Sequence, residues 1–137
     1  MPAEVALVPF TIETARAARE LMRRIYVDGL GDNGISFEGF WQWLTTDPHY
    51  DPQLIFVAAA DGEVIGLCHC WTGAFIKDLV VDPAHRGRGL GAALVTLALE
   101  AFARRGADSV DLKTDIDNVK AQSLYRRLGF EIVELIG

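Results

Sequence analysis

Leu79-Val80-Val81-Asp82-Pro83-Ala84-His85-Arg86-Gly87-Arg88-Gly89-Leu90-Gly91-Ala92 runs from the end of an apolar strand, through a glycine-rich loop, onto the start of a helix. Glycine lets the backbone approach a ligand closely, and the first amides of a helix have no internal partner. Those amides and the helix dipole favour an anion, typically a phosphate or pyrophosphate. Arg86 and Arg88 add positive charge beside them. Two phosphate-binding readings fit this stretch. In one, Gly87, Gly89 and Ala92 satisfy the dinucleotide pattern G-x-G-x-x-A, with Asp111 about 20 residues beyond as a ribose acid. Against it, Asp82 to Arg86 separate the strand from the glycines. Only one strand, one helix and one last strand follow, too few for a doubly wound sheet.

Working outward, residues 4–10 predict a strand that Pro9 confines to an edge or an end. Thr11 offers a helix cap, and Ala15, Ala18, Met22 and Ile25 recur at helical spacing. Gly29, Gly31 and Gly34 break that helix, and Ser36 caps a second, short one with Phe37, Phe40, Trp41 and Leu44. Residues 54–60 and 63–71 predict strands around an Asp61-Gly62 hairpin, and Thr72-Gly73 turns the chain into a strand at 74–81. A helix follows from about Leu90 to Arg105, closed by Gly106, and residues 108–114 alternate as a strand. A last helix begins near Asn118, buries Ala121, Leu124, Tyr125 and Leu128, and stops at Gly129; residues 130–136 form a final strand. The order is β-α-α-β-β-β-α-β-α-β. This is an α/β domain of the α+β type, with antiparallel hairpins first and a crossover later.

The 137 residues suit one domain, and with 50% hydrophobic residues the core needs neither disulfides nor a metal. The net charge of -6 argues against nucleic acid as the main partner. No apolar run is long enough to span a bilayer, and Met1 to Phe10 lacks the basic start of a signal peptide, so a cytoplasmic protein is expected. Cys68 and Cys70 point to one face of their strand as reduced core residues, and His69 to the other, which argues against a metal site. If 71–74 is a tight turn, His69 and Asp78 fall diagonally on one sheet face, as a base and its orienter or as a satisfied structural pair. His49 and His85 read as loop residues. Phe37, Phe40, Trp41 and Trp43 read mostly as core, with one or two lining a pocket.

At this point the chain resembles the GNAT superfamily of acyl-CoA-dependent N-acetyltransferases. That family's signature R/Q-x-x-G-x-G/A follows a strand of the form L-x-V-x-P. Here it reads Leu79, Val81 and Pro83, then Arg86, Gly89 and Gly91. A second signature, an Asn with a Tyr seven residues later and then L-G-F, reads Asn118, Tyr125 and Leu128-Gly129-Phe130. The resemblance implies a single GNAT domain over 1–137, with a mixed central sheet whose central strands splay at a β-bulge near Leu79 to Val81. It implies that the backbone of Leu79, Val80 and Val81 receives the pantetheine arm. Arg86 and the amides of Gly87, Arg88, Gly89, Leu90, Gly91 and Ala92 would hold the pyrophosphate, and Asn118 the arm of the cofactor. Tyr125 would sit beside the sulfur as the catalytic acid. The implied reaction moves an acetyl group from acetyl-CoA, with no metal, to a primary amine of a small molecule or peptide by direct attack.

Two departures stand out. Relatives place a Glu or His base at positions matching Phe75, Lys77 or Lys113, and none of these is an acid or an imidazole. Asp78, beside the cofactor strand, is the catalytic base candidate left. One strand fewer follows the last helix than in many relatives, leaving the acceptor side open or completed by a second subunit in a homodimer. A non-catalytic acyl-CoA sensor and a nicotinamide-dinucleotide-binding protein are the rival readings.

Overall fold

The computed structural model describes residues 4–25, 36–112, 123, 125–127 and 129. Among the described residues, five strands form one open sheet in chain order: β1 (Ala6–Val8), β2 (Ile55–Ala60), β3 (Glu63–Trp71), β4 (Phe75–Val81) and β5 (Asp111–Leu112). The first three pairings are antiparallel, and β4 pairs with β5 in parallel. A crossover helix between β4 and β5 is what a parallel pair requires. The expected final strand at 130–136 and the start of the last helix lie outside the described residues. Of that helix, residues 125–127 are helical, and Gly129 follows at φ +96°.

Among the described residues, three long helices cover the two faces. On one lie α1 (Ile12–Ile25) and α2 (Phe37–Thr46); on the other lies α3 (Leu90–Arg104). The caps follow from sequence. Thr11 and Thr14 form a reciprocal box, each backbone N–H donating to the other's hydroxyl at 2.8 and 3.3 Å, and the Ser36 hydroxyl accepts from the Gly39 N–H at 3.1 Å. The apolar stripe of α3 buries Leu90, Leu94, Val95, Ala98 and Phe102 against Ile65, Cys68, Cys70 and Ile76. Ala18 and Leu21 of α1 meet Ile55, Val57, Leu67 and Val80 on the opposite face.

Two turns and two bulges set the registers. Asp61 and Gly62 have φ values of 52° and 79°, the two left-handed positions that a two-residue hairpin demands. The second hairpin differs from expectation. Its loop is three residues, 72–74, with Ala74 left-handed at φ 57°, and Trp71 pairs with Phe75. The pairing then slips between His69 and Cys70, leaving Lys77 as the extra residue of β4. The bulge therefore stands at Lys77 rather than at Leu79 to Val81. A second slip between Ala58 and Ala59 leaves Ile65 extra in β3. β1 is shorter than expected, since Pro9 follows it closely, and β5 begins later than expected, since residues 108–110 do not pair.

Gly66 lets α3 approach the sheet. A methyl group there would lie 3.2 Å from Leu94 Cδ1 and 3.3 Å from Leu90 Cδ2. Both leucines are almost wholly buried, so neither side chain can swing away cheaply. Gly66→Val should lower stability by about 1–3 kcal/mol in urea unfolding, as overpacked cores do. Gly73→Ala, with nothing near its added methyl, should stay within about 0.5 kcal/mol of wild type.

Candidate active site

The strand-to-helix loop is built from local hydrogen bonds. After β4, the Asp82 carboxylate accepts from the Ala84 N–H at 2.9 Å and starts a single 3₁₀ turn, Pro83–His85. The Asp82 N–H donates to the Ile65 carbonyl at 2.8 Å, tying the loop to β3. Arg86 folds back, its Nε donating to the Val81 carbonyl at 3.0 Å. Gly87 and Gly89 then sit at φ +79° and +81°, with open space where a side chain would begin. Only glycine takes two such positions without cost. Gly89 is the N-cap of α3, and no side chain caps that end. The first helical bond runs from the Ala93 N–H to the Gly89 carbonyl, so the amides of Leu90, Gly91 and Ala92 lie before it at the positive end of the helix.

An uncapped helix start beside two left-handed glycines with open space fits a phosphate-bearing ligand. Of the residues assigned to it, Gly87, Arg88 and Gly89 are exposed, whereas the Leu90 side chain is core, leaving only its backbone for a ligand. Arg88 forms an ion pair with Glu4, a contact the sequence did not signal because it joins residues far apart along the chain. Leu79 and Val81 pack toward α3 and Val80 toward α1, as strand alternation requires. The 3₁₀ turn between strand and glycines sets this loop apart from a dinucleotide turn, which follows its strand at once.

The second group of chemical side chains lies on the α1/α2 face of β3 and β4. His69 is directly opposite Asp78 rather than diagonal to it, with Nδ1 3.7 Å from Asp78 Oδ2. A bulge turns two successive side chains to one side, so Lys77 and Asp78 stand together. Lys77 Nζ donates to Asp78 Oδ2 at 3.1 Å. With Phe40, Trp43 and Leu44 of α2 and Met22 of α1, these residues line an open cleft. Trp43 and Phe40 are thus the aromatics that reach a pocket, while Trp41 stacks on Phe10 at 5.9 Å. Burial raises the proton affinity of Asp78, but the neighbouring His69 imidazole and the Lys77 charge outweigh it and hold the carboxyl below its usual value. His69 Nε2 is buried without a partner among the described residues. Cys68 and Cys70 are buried on the other face as free thiols, their sulfurs 3.7 Å apart, and their mutual contact with burial pushes Cys68 well up. They are poor nucleophiles there.

Tyr125 packs half-buried against the core cluster beneath α3, on the side of the sheet that Leu79 and Val81 face. Asn118 and Lys113 lie outside the described residues. Among the described residues, no group of three or more His, Cys, Asp or Glu side chains could hold a metal, and no helix is long and apolar enough to cross a membrane.

An open mixed sheet with antiparallel hairpins, whose fourth strand delivers a glycine loop to an uncapped helix, defines an α/β anion-binding fold outside the doubly wound class. The chain belongs to the acetyltransferase (GNAT) family, whose sequence profile matches residues 15–130. Mycothiol acetyltransferase of Clavibacter michiganensis subsp. michiganensis (strain NCPPB 382) is 37% identical over 136 residues, covering 95% of this chain and 44% of that protein. The chain spans about half the length of the curated relatives it matches. Among solved structures, a GCN5-related N-acetyltransferase from Sphaerobacter thermophilus aligns with a TM-score of 0.75 at 27% identity, over 93% of this chain and 41% of that one. The aminoglycoside N-acetyltransferase AAC(6')-Iy in complex with CoA gives 0.74 at 18% identity, over 100% of this chain and 94% of that one, a likeness of fold.

The lowered proton affinity of Asp78 has a pH signature. A carboxyl depressed in the folded state adds stability above its unfolded value, near 3.9, and loses it as pH falls through the folded value. Asp78→Asn should therefore cost stability at pH 7. The gap to wild type should close progressively below about pH 4, as read by urea unfolding across a pH series.

Proposed function

We propose that residues 1–137 act as one cytoplasmic acetyltransferase domain, moving an acetyl group from acetyl-CoA to a primary amine of a small molecule or peptide. The observation that carries this reading is the uncapped start of α3 behind Gly87 and Gly89 in a chain of this family. The amides of Gly87 to Ala92, with Arg86 and Arg88, hold the pyrophosphate, and the edge of Leu79 to Val81 with Asn118 carries the arm. Bound there, acetyl-CoA supplies the activated acyl group.

The amine nitrogen attacks the thioester carbonyl carbon, the carbon–sulfur bond breaks, and the electron pair leaves with sulfur. Tyr125 donates its hydroxyl hydrogen to that sulfur, and Asp78 takes the proton released by the amine, directly or through water. Alignment of the two reactants contributes most to the rate, about 7–11 kcal/mol at best. A thiol of ordinary acidity near 8.5 and a phenol near 10 make full transfer from tyrosine uphill by about 2 kcal/mol. A hydrogen bond that strengthens as sulfur gains charge lowers the barrier without complete transfer. A second copy completing the acceptor side as a homodimer belongs to this reading.

Two measurements test the proposal. Gly89→Asp puts a negative charge where phosphate must sit. Calorimetry should show coenzyme A binding largely lost in a folded protein, and unchanged affinity would remove the main support for the reading. Tyr125→Phe keeps the ring and its packing. Turnover with an accepted amine, followed by free thiol at saturating acetyl-CoA, should fall roughly 10²–10⁴-fold while acetyl-CoA affinity stays near wild type. Turnover within two- or threefold, with chemistry rate-limiting, would make Tyr125 a core aromatic only.

A further inference from the structure

Lys77 reaches inward to a mostly buried carboxylate. The bulge turns its stem to the same side of the sheet as Asp78, and its ammonium lies 3.1 Å from Asp78 Oδ2. Two indole rings from different elements flank it. Nζ is 5.6 Å from the centroid of Trp43, on α2, and 5.7 Å from that of Trp71, on β3. Both distances are within the range at which a ring face attracts a cation. His69 meets Trp71 edge-on at 6.4 Å, and its Nε2 is buried without a partner among the described residues. The carboxylate is mostly buried, with 16% of its side chain exposed, while Trp43 is 47% exposed and leaves the cluster open to solvent.

A carboxylate and two aromatic faces around one ammonium make a binding site for an alkylammonium ion, and the ion now in it belongs to the chain itself. A lysine side chain is a primary amine on a linear four-carbon stem. We propose that Trp43, Trp71 and Asp78 form the seat for the ammonium of an alkylamine acceptor, and that Lys77 fills this seat as a tethered stand-in until the acceptor displaces it. The inference rests on the acetyltransferase reading for the word acceptor, and on the geometry alone for the seat. Met22, Phe40 and Leu44 line the same narrow cleft as Trp43 and Asp78, so the surroundings of the seat are apolar. The acceptor class is therefore a primary amine on an unbranched aliphatic chain, as in a lysine side chain or a diamine. A tethered competitor lowers the apparent affinity for a free ligand by the fraction of time the seat is open.

The test uses the full chain without acetyl-CoA, so that nothing reacts, and n-pentylamine as probe at pH 7.5, read by tryptophan fluorescence. Lys77→Met removes the charge and keeps the stem. It should bind n-pentylamine roughly tenfold more tightly than wild type, the scale of losing a competitor held by a carboxylate and two rings. Lys77→Arg should bind like wild type, and n-pentanol should show no difference between any of them. Adding Trp43→Ala to Lys77→Met should abolish most of the gain. Lys77→Gln gives the same comparison if the methionine variant fails to fold by circular dichroism. A folded, charge-free variant that binds n-pentylamine no more tightly than wild type would overturn the seat. Calorimetry of wild type with coenzyme A separates the two ideas: tighter amine binding without any coenzyme A binding upholds the seat and overturns the acetyltransferase reading.

Discussion

The pairing of Glu63–Trp71 with Phe75–Val81 decides which way each chemical group faces, and both halves of the site depend on it. Along β3, Cys68 and Cys70 go to the α3 side and close the core, while Leu67 and His69 go to the α1 side. Gly66 leaves room for the first turns of α3, so the helix with the uncapped start is pressed to the sheet at that point. The same strand pair ends in the loop, because the Asp82 N–H donates to the Ile65 carbonyl next to Gly66. A one-residue slip here would send His69 into the apolar cluster and a cysteine into the cleft.

Much of this could be read from the residues because the signals were local. Asp61-Gly62 fixes a hairpin by its own backbone preferences, and Thr11 and Ser36 announce helix starts through short-range side-chain bonds. The reach of α3 is set by Gly89 before it and by Gly106 after it, at φ +84°. The second hairpin was harder. Thr72-Gly73 looks like a two-residue turn, yet the chain uses three residues and puts Ala74, not Gly73, in the left-handed region. Taken alone, that would have reversed the faces of β4. The bulge at Lys77 adds a second one-residue shift, and two shifts restore the parity. His69 and Asp78 thus share a face as expected, directly opposed instead of diagonal. A compensating pair of irregularities leaves no trace in a periodicity argument, which registers only their sum.

The site divides in the same way. The anion loop was legible because glycines, arginines and the helix start are contiguous in sequence. The cleft on the α1/α2 face was legible only in part: His69 beside Asp78 and one or two pocket aromatics were expected, but Lys77 and Trp71 join them only through the register. In the sequence Lys77 is merely a position without an acid, and Trp71 the start of a turn. The clue available was that Trp71 and His69 alternate together on one strand. The ion pair between Glu4 and Arg88 is a further case, invisible until the edge strand is laid beside the loop.

The proposed role of Asp78 as proton acceptor sets a chemical requirement. A carboxyl held below its usual value is a weak base, which at first sight suits a cation anchor better than a proton acceptor. Its depression, however, depends on cationic and hydrogen-bonding neighbours, while burial alone pulls the other way and is the largest single influence. Burial disfavours each separated charge, so moving one proton from a buried ammonium to the carboxylate beside it removes two charges at once. As the ammonium gives up its proton, the cationic part of what kept Asp78 acidic goes with it, and desolvation is then opposed by His69 alone. The amine that results is the nucleophile direct attack requires. From Asp78 to Val81 the strand advances roughly 10 Å, and the 3₁₀ turn follows before the glycines. In the proposed reaction one strand thus holds the anionic carrier beyond its end and passes the proton at its bulge.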